Sequence, residues 1–172
     1  MKKEELKLTF ELVPKTSWFS NLHNGMLDNQ WIKLSDALRN KSGGVCKICG
    51  RNVGIKGLDA HETWEYVDGL QILKEINAIC KKCHSVKHFG YYAIVLGKYD
   101  EVFEWFKIVN ELDDEEAVKL KDDFLFEHKI RSMTNWKTII VNEVIKNIIE
   151  EDVVLKPNQD IDVVQKRDDI KR

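Results

Sequence analysis

The chain has 172 residues, 43% of them hydrophobic and 33% charged, with a formal net charge of −2. That length and apolar content can build a core without disulfides, and the near-balanced charge excludes a broadly basic nucleic-acid binder. No apolar run approaches the roughly eighteen residues of a membrane span, and Met1-Lys2-Lys3-Glu4-Glu5 lacks the apolar stretch of a secretory signal, so a cytoplasmic setting without membrane contact is expected.

The small net charge hides an uneven distribution. Residues 1–40 hold six basic and five acidic side chains, residues 41–98 nine and five, and residues 99–172 twelve and nineteen. A basic segment therefore lies inside an acidic protein. Screening confines distant acidic charge to roughly 8–10 Å, so a local basic face can still meet phosphate.

In chain order, Leu6, Leu8, Phe10 and Leu12 alternate with Lys7, Thr9 and Glu11, the period of a half-buried strand ending near Pro14. Trp18 and Phe19 read as core aromatics, as does Trp31. From Asp28 to Asn40, Trp31, Leu34, Ala37 and Leu38 fall at helical spacing, and Lys41-Ser-Gly-Gly44 supplies a stop. Leu58 to Val67 reads as one strand of a hairpin turned at Asp68-Gly69. The return segment Leu70 to Ile76 fits either a strand or a short helix. Cys83 to Phe89 predicts a helix ending near Gly90. Val102, Trp105, Phe106 and Val109 mark an amphipathic helix from Asp100, and Asp113 with Glu116 forms a capping signature for another through Ala117, Leu120 and Phe124. Trp136 to Val141 predicts a strand and Glu143 to Ile149 a helical turn or two. Beyond Glu151 charge dominates and periodicity is lost, which predicts a disordered tail over 151–172. The expected organisation is an N-terminal strand and helix over 1–44, a central unit over 45–98 and a helical extension over 99–150, an α+β class.

The chemistry concentrates in the central unit. All four cysteines lie in Cys46-Lys-Ile-Cys49 and Cys80-Lys-Lys-Cys83, and three of the five histidines, His61, His84 and His88, lie in or between these pairs. Two Cys-x-x-Cys turns in a reducing compartment read as a structural zinc site of four thiolates. His84 and His88, four residues apart on the predicted helix, share one face. With His61 and its neighbours Asp59 and Glu62 on the facing hairpin, they make the parts of a second cation centre: imidazole ligands, and a histidine or carboxylate to activate water.

Leu58-Asp-Ala-His61-Glu62-Thr-Trp64 followed by Cys80-Lys-Lys-Cys83-His84-Ser-Val-Lys-His88 resembles the HNH endonuclease family in its cysteine-bearing form, over about residues 45–90. The resemblance implies a ββα-metal unit joined to a treble-clef-like zinc site, and hydrolysis of DNA phosphodiester bonds. It implies His61 as general base, His84 as the helix ligand of a divalent cation (Mg²⁺, Mn²⁺ or Ni²⁺) and His88 as a second ligand; Asp59 beside them is a further candidate ligand of that cation. The chain departs from the pattern at Ala60, where a ligand usually precedes the base, and at Glu75, where the asparagine usually sits. If His61 is instead that preceding ligand, Glu62 occupies the base position. Lys81, Lys82 and Lys87, with Lys47, Arg51 and Lys56, are the candidates for holding the phosphate backbone. Ligation needs neutral histidines, so activity is expected to fall below about pH 6.5. The alternative reading keeps the zinc unit without cleavage, as a binding or inhibitory module whose acidic C-terminal helices meet a protein partner.

Overall fold

A computed structural model describes residues 3–157 and 159–170. The fold is α+β, with a four-stranded mixed sheet of order β1-β2-β3-β4. β1 (Leu58–Val67) and β2 (Leu70–Cys80) form a long antiparallel hairpin. Asp68 and Gly69 both take positive φ, 50° and 77°, the conformation in which a two-residue turn matches the twist of the strands it joins. The return segment is thus a strand, and it runs four residues past Ile76 to the third cysteine. Its buried residues Leu73, Ile76, Ala78 and Ile79 pack on both faces of the sheet, which explains why its sequence lacks strict alternation.

One face of the sheet is covered by α1 (Leu22–Gly25), α2 (Asp28–Lys41) and α6 (Asn142–Ile149), whose Leu22, Leu34, Ile145 and Ile149 share a core with Leu73, Ile76 and Ile140. α2 carries Asp28 in its first turn and Arg39 and Lys41 in its last, charges that suit the helix dipole. α3 (Lys81–Lys87) leaves β2 without a connecting residue and begins two residues before the expected start at Cys83. A short π-helical stretch over Gly90–Val95 follows, then α4 (Tyr99–Asn110) and α5 (Asp114–Arg131). The capping box at Asp113 and Glu116 forms as the sequence predicts.

The N-terminal segment corrects the first expectation. Leu8, Phe10 and Leu12 do point inward, but the segment joins no sheet, because its backbone bonds go elsewhere. Leu8 exchanges two hydrogen bonds with the Asn110 side chain on α4, and the Glu11 N–H donates to the Lys87 carbonyl on α3. Phe10 stacks among Phe89, Phe106 and Phe124, with centroids 4.5, 4.3 and 5.3 Å away. The segment is therefore an extended strap across three helical elements.

Two further expectations are corrected. Trp18 and Phe19 are exposed, at 56% and 81%, since the short turn there buries Ser17 instead; Trp31 is half-buried against the α2 core. The charged tail is not without structure: β4 (Ile161–Val164) runs parallel to β3 (Lys137–Val141), which in turn pairs in parallel with the start of β2. Ile161 reaches the core, while Asp162 pairs with Lys137 at 2.6 Å and Arg167 pairs with Glu65, so the charges that hid the strand find partners. Asn158, Lys171 and Arg172 of that tail lie outside the described residues, as do Met1 and Lys2. Among the described residues no helix is long and apolar enough to cross a membrane.

Candidate metal centres

The first centre gathers three pieces of chain. Cys46 and Cys49 sit on a tight turn closed by an isolated bridge between Val45 and Asn52, and the Gly50 N–H donates to the Cys46 carbonyl at 3.0 Å. Gly44 fits there because it takes φ +83°, and a side chain on it would meet the Gly54 backbone at 2.8 Å. The Lys47 N–H ties this turn to the Ala78 carbonyl of β2. Cys80 ends β2, and Cys83 lies buried in the first turn of α3. The four sulfurs fall within 4.8 Å of one another. Cys49 and Cys80 Sγ are 3.8 Å apart, the edge of a tetrahedron whose centre-to-sulfur distance is about 2.3 Å, the length of a zinc–thiolate bond.

The surroundings favour thiolates. The Cys80 N–H points at Cys46 Sγ at 3.3 Å, and Trp105 Nε1–H points at Cys83 Sγ at 3.4 Å. Thiol hydrogen bonds from Cys80 and Cys83 hold Cys46 far below its ordinary range. Burial, followed by the proximity of Cys46, pushes Cys49 up to about 11. Sulfurs this close cannot all ionise against one another, and a divalent cation is what lets four thiolates coexist. The donor set and spacing fit zinc.

The second centre lies on the hairpin face away from α2. His61 is the fourth residue of β1, His84 lies on α3, and His88 follows immediately after it. One ring nitrogen from each lies within 4.8 Å of the others. Ring centroids are 4.6 to 5.3 Å apart, and the three rings stand mutually edge-on. Two of the imidazoles are held from behind. His61 Nε2 donates to Glu11 Oε2 at 2.7 Å, and His84 Nδ1 donates to Asp59 Oδ2 at 2.9 Å, leaving His61 Nδ1 and His84 Nε2 as donors to an ion. Carboxylates in this position fix tautomer and ring orientation and raise ligand basicity.

Each carboxylate also meets a lysine of α3. Lys87 Nζ reaches Glu11 Oε1 at 2.7 Å and Thr9 Oγ1 at 3.0 Å, and Lys81 pairs with Asp59. Burial raises Glu11 and Asp59, but their histidine and lysine partners outweigh it and hold each carboxyl at about 2. Burial, then the neighbouring His61 and His84, pushes His88 from 6.5 to about 3, and burial lowers His61 as well. Both therefore remain neutral, and able to ligate, below the pH 6.5 limit expected from free imidazole.

His61 converges with His84 and His88, and its Nε2 is taken up by Glu11. Glu62, the other candidate base, alternates to the opposite face of β1, where its carboxylate accepts the N–H groups of His23 at 2.7 Å and Leu22 at 3.3 Å at the start of α1. Burial pushes it up to about 7, but it does not face the histidines. Asp59, the further ligand candidate, spends its carboxylate on His84 Nδ1 and Lys81. Lys87 is buried on Glu11 and Lys81 is engaged by Asp59, so of the three α3 lysines named for phosphate only Lys82 is without an ion pair among the described residues. An all-imidazole set suits zinc or nickel better than Mn²⁺ or Mg²⁺, which prefer oxygen ligands.

Sequence reasoning missed Glu11 and Trp105. Alternation placed Glu11 on the polar side of its segment, but nothing local pointed to a histidine fifty residues away. Trp105 read only as one more apolar position on α4. Comparisons of the chain with protein-family models, curated proteins and solved structures return no match.

Proposed function

We propose that this chain is a metal-dependent endonuclease that hydrolyses DNA phosphodiester bonds at the His61–His84–His88 centre, with the four cysteines holding a structural zinc ion. The observation that carries the reading is the convergence of three imidazoles, two of them braced by carboxylates, a set of three where a catalytic metal site takes three protein ligands and a water. Their order, one histidine on the first strand of a hairpin and two on or beside the helix that follows, supports the resemblance to HNH endonucleases.

Charge argues for an anionic substrate. The histidines are neutral ligands, and Glu11 and Asp59 are balanced by Lys87 and Lys81, so the charge of a bound cation is not quenched by its surroundings. A cation here would polarise a phosphoryl oxygen and acidify a water, which matters because Glu62 is turned away and His61 is engaged. The protein's own part is to hold the three rings in place and to keep His61 and His88 neutral.

The test uses zinc-loaded protein with supercoiled plasmid and Zn²⁺, Mn²⁺, Ni²⁺ or Mg²⁺. Nicking is expected with Zn²⁺ and Ni²⁺, less with the oxygen-preferring Mn²⁺ and Mg²⁺, and none from His88→Ala. Inertness with every cation, on duplex and single-stranded DNA alike, would overturn the assignment.

One observation favours a second reading. With Glu62 on the opposite face and Lys87 buried, neither side chain is placed to move a proton to or from a phosphate at the histidine centre, as a binding module without hydrolysis would have it. Retardation of DNA without cleavage, under every cation, is its signature.

A further inference from the structure

Residues 43–58 and 76–98, which carry both cysteine pairs and two of the three histidines, contain seven lysines and arginines and no aspartate or glutamate. Lys81 and Lys87 are engaged inside the histidine centre. Lys47, Arg51, Lys56 and Lys82 are exposed and form no ion pair among the described residues. Two of these four are held in place. Arg51 Cζ lies 5.2 Å and Lys82 Nζ 4.9 Å from the centre of the Trp105 ring, so the two cationic heads are separated by no more than about twice that distance. The ring is itself anchored by its Nε1–H on Cys83 Sγ. On α4, Glu104 is taken by Lys107 at 2.5 Å, and neither it nor Glu101 forms an ion pair with Arg51 or Lys82. A fixed pair of cations without acidic partners is a surface complementary to closely spaced phosphates.

We propose that Arg51 and Lys82, carried on Trp105, form a clamp on the DNA phosphate backbone. This rests on the nuclease reading above and adds how the substrate is held. On a helix of 3.6 residues per turn, Lys82 and His84 project about 200° apart, so the clamp grips a flanking phosphate rather than the one being cut. Such a contact sets position without reading sequence. It also ties grip to zinc, since the ring that carries both cations leans on a cysteine of the zinc site. The grip and the cut are then separate functions on opposite sides of one short helix.

Salt dependence of binding isolates the clamp. In a His84→Ala/His88→Ala background, which removes cleavage, zinc-loaded protein is titrated with a fluorescent 30-base-pair duplex at several NaCl concentrations. Adding Arg51→Gln and Lys82→Gln together is expected to reduce the slope of log affinity against log salt by about 1.8, at about 0.9 per phosphate contact, equally for unrelated sequences. Trp105→Phe, which keeps the ring, is expected to retain most of the slope. Binding with an unchanged slope, or one reduced by less than a single contact, overturns the clamp and leaves the nuclease reading standing. Failure of the background protein to bind DNA, when wild type also fails to cut, overturns both.

Discussion

The two centres meet on neighbouring residues of α3, Cys83 and His84, yet they are held by different means. The cysteine centre is nearly self-contained: its ligands come from two short motifs, and three of its supports, the Gly50, Cys80 and Lys47 N–H groups, are backbone of the same segment. The histidine centre borrows its supports, Asp59 from the hairpin and Glu11 from a strap that joins no sheet. Four ligands close a site, and three leave a position for chemistry. The four-cysteine site is built from local chain, whereas the three-histidine site depends on the tertiary fold to hold it.

The largest effect that separates them is expected from Cys83→Ser. Metal binding by structural zinc sites is worth roughly 10–16 kcal/mol in small zinc-dependent units, so this change should abolish the cooperative thermal transition followed by circular dichroism. His84→Ala/His88→Ala should keep that transition and lower metal content from two equivalents to one by elemental analysis. Equal unfolding by both variants would erase the distinction between closed and open sites.

A smaller effect is expected at the borrowed support. Glu11→Gln keeps the shape but loses the charge behind His61, and affinity for the second metal equivalent should fall about 10- to 100-fold, with the zinc equivalent unchanged. Unaltered affinity in a competition titration would mean that the strap contributes packing alone.

The smallest effect concerns Glu62. Its folded-state value of about 7 lies above its ordinary 4.5, so its contribution is complete below about pH 4.5 and fades as pH rises through 7. Glu62→Gln should therefore raise Tm at pH 8, by about 2–4 °C for each kcal/mol recovered, and change it less at pH 5. Because Glu62 faces α1, the same variant should keep its nicking rate. Loss of nicking with metal content intact would restore Glu62 as the base.

What the sequence could disclose follows the same division. Both cysteine pairs, the hairpin with its Asp68-Gly69 turn, the i, i+4 histidines and the capping box at Asp113 depend on spacing within a few residues, and the structure contains each of them. The strap's alternation predicted correctly which side chains turn inward, but not that they pack on helices, because burial alone does not distinguish a strand from an extended segment lying on another surface. β4 was obscured by the acids and lysines around Ile161. Asp162 and Arg167 are tolerable there only because Lys137 and Glu65 lie across from them, contacts that sequence order does not reveal. Glu62 misled for a related reason: adjacency to His61 along a strand means the opposite face, and its partner is the start of a helix forty residues earlier.

The strap also orders events in time. The stretch from Cys46 to Cys83 contains all four cysteines of a cluster that fits zinc, and it can close around such an ion once the hairpin forms. The histidine centre, by contrast, waits for Glu11 to dock across a separation of fifty residues and for Leu8 to reach Asn110 across one hundred and two. Contacts of such span form late in folding. In refolding with both metals present, zinc uptake should precede uptake at the histidines, with the second phase slowed when the strap is weakened by Phe10→Ala; simultaneous uptake would contradict this order. A protein assembled in that sequence closes its cysteine site before its histidine site, and the last part to settle is a segment that lies N-terminal to both.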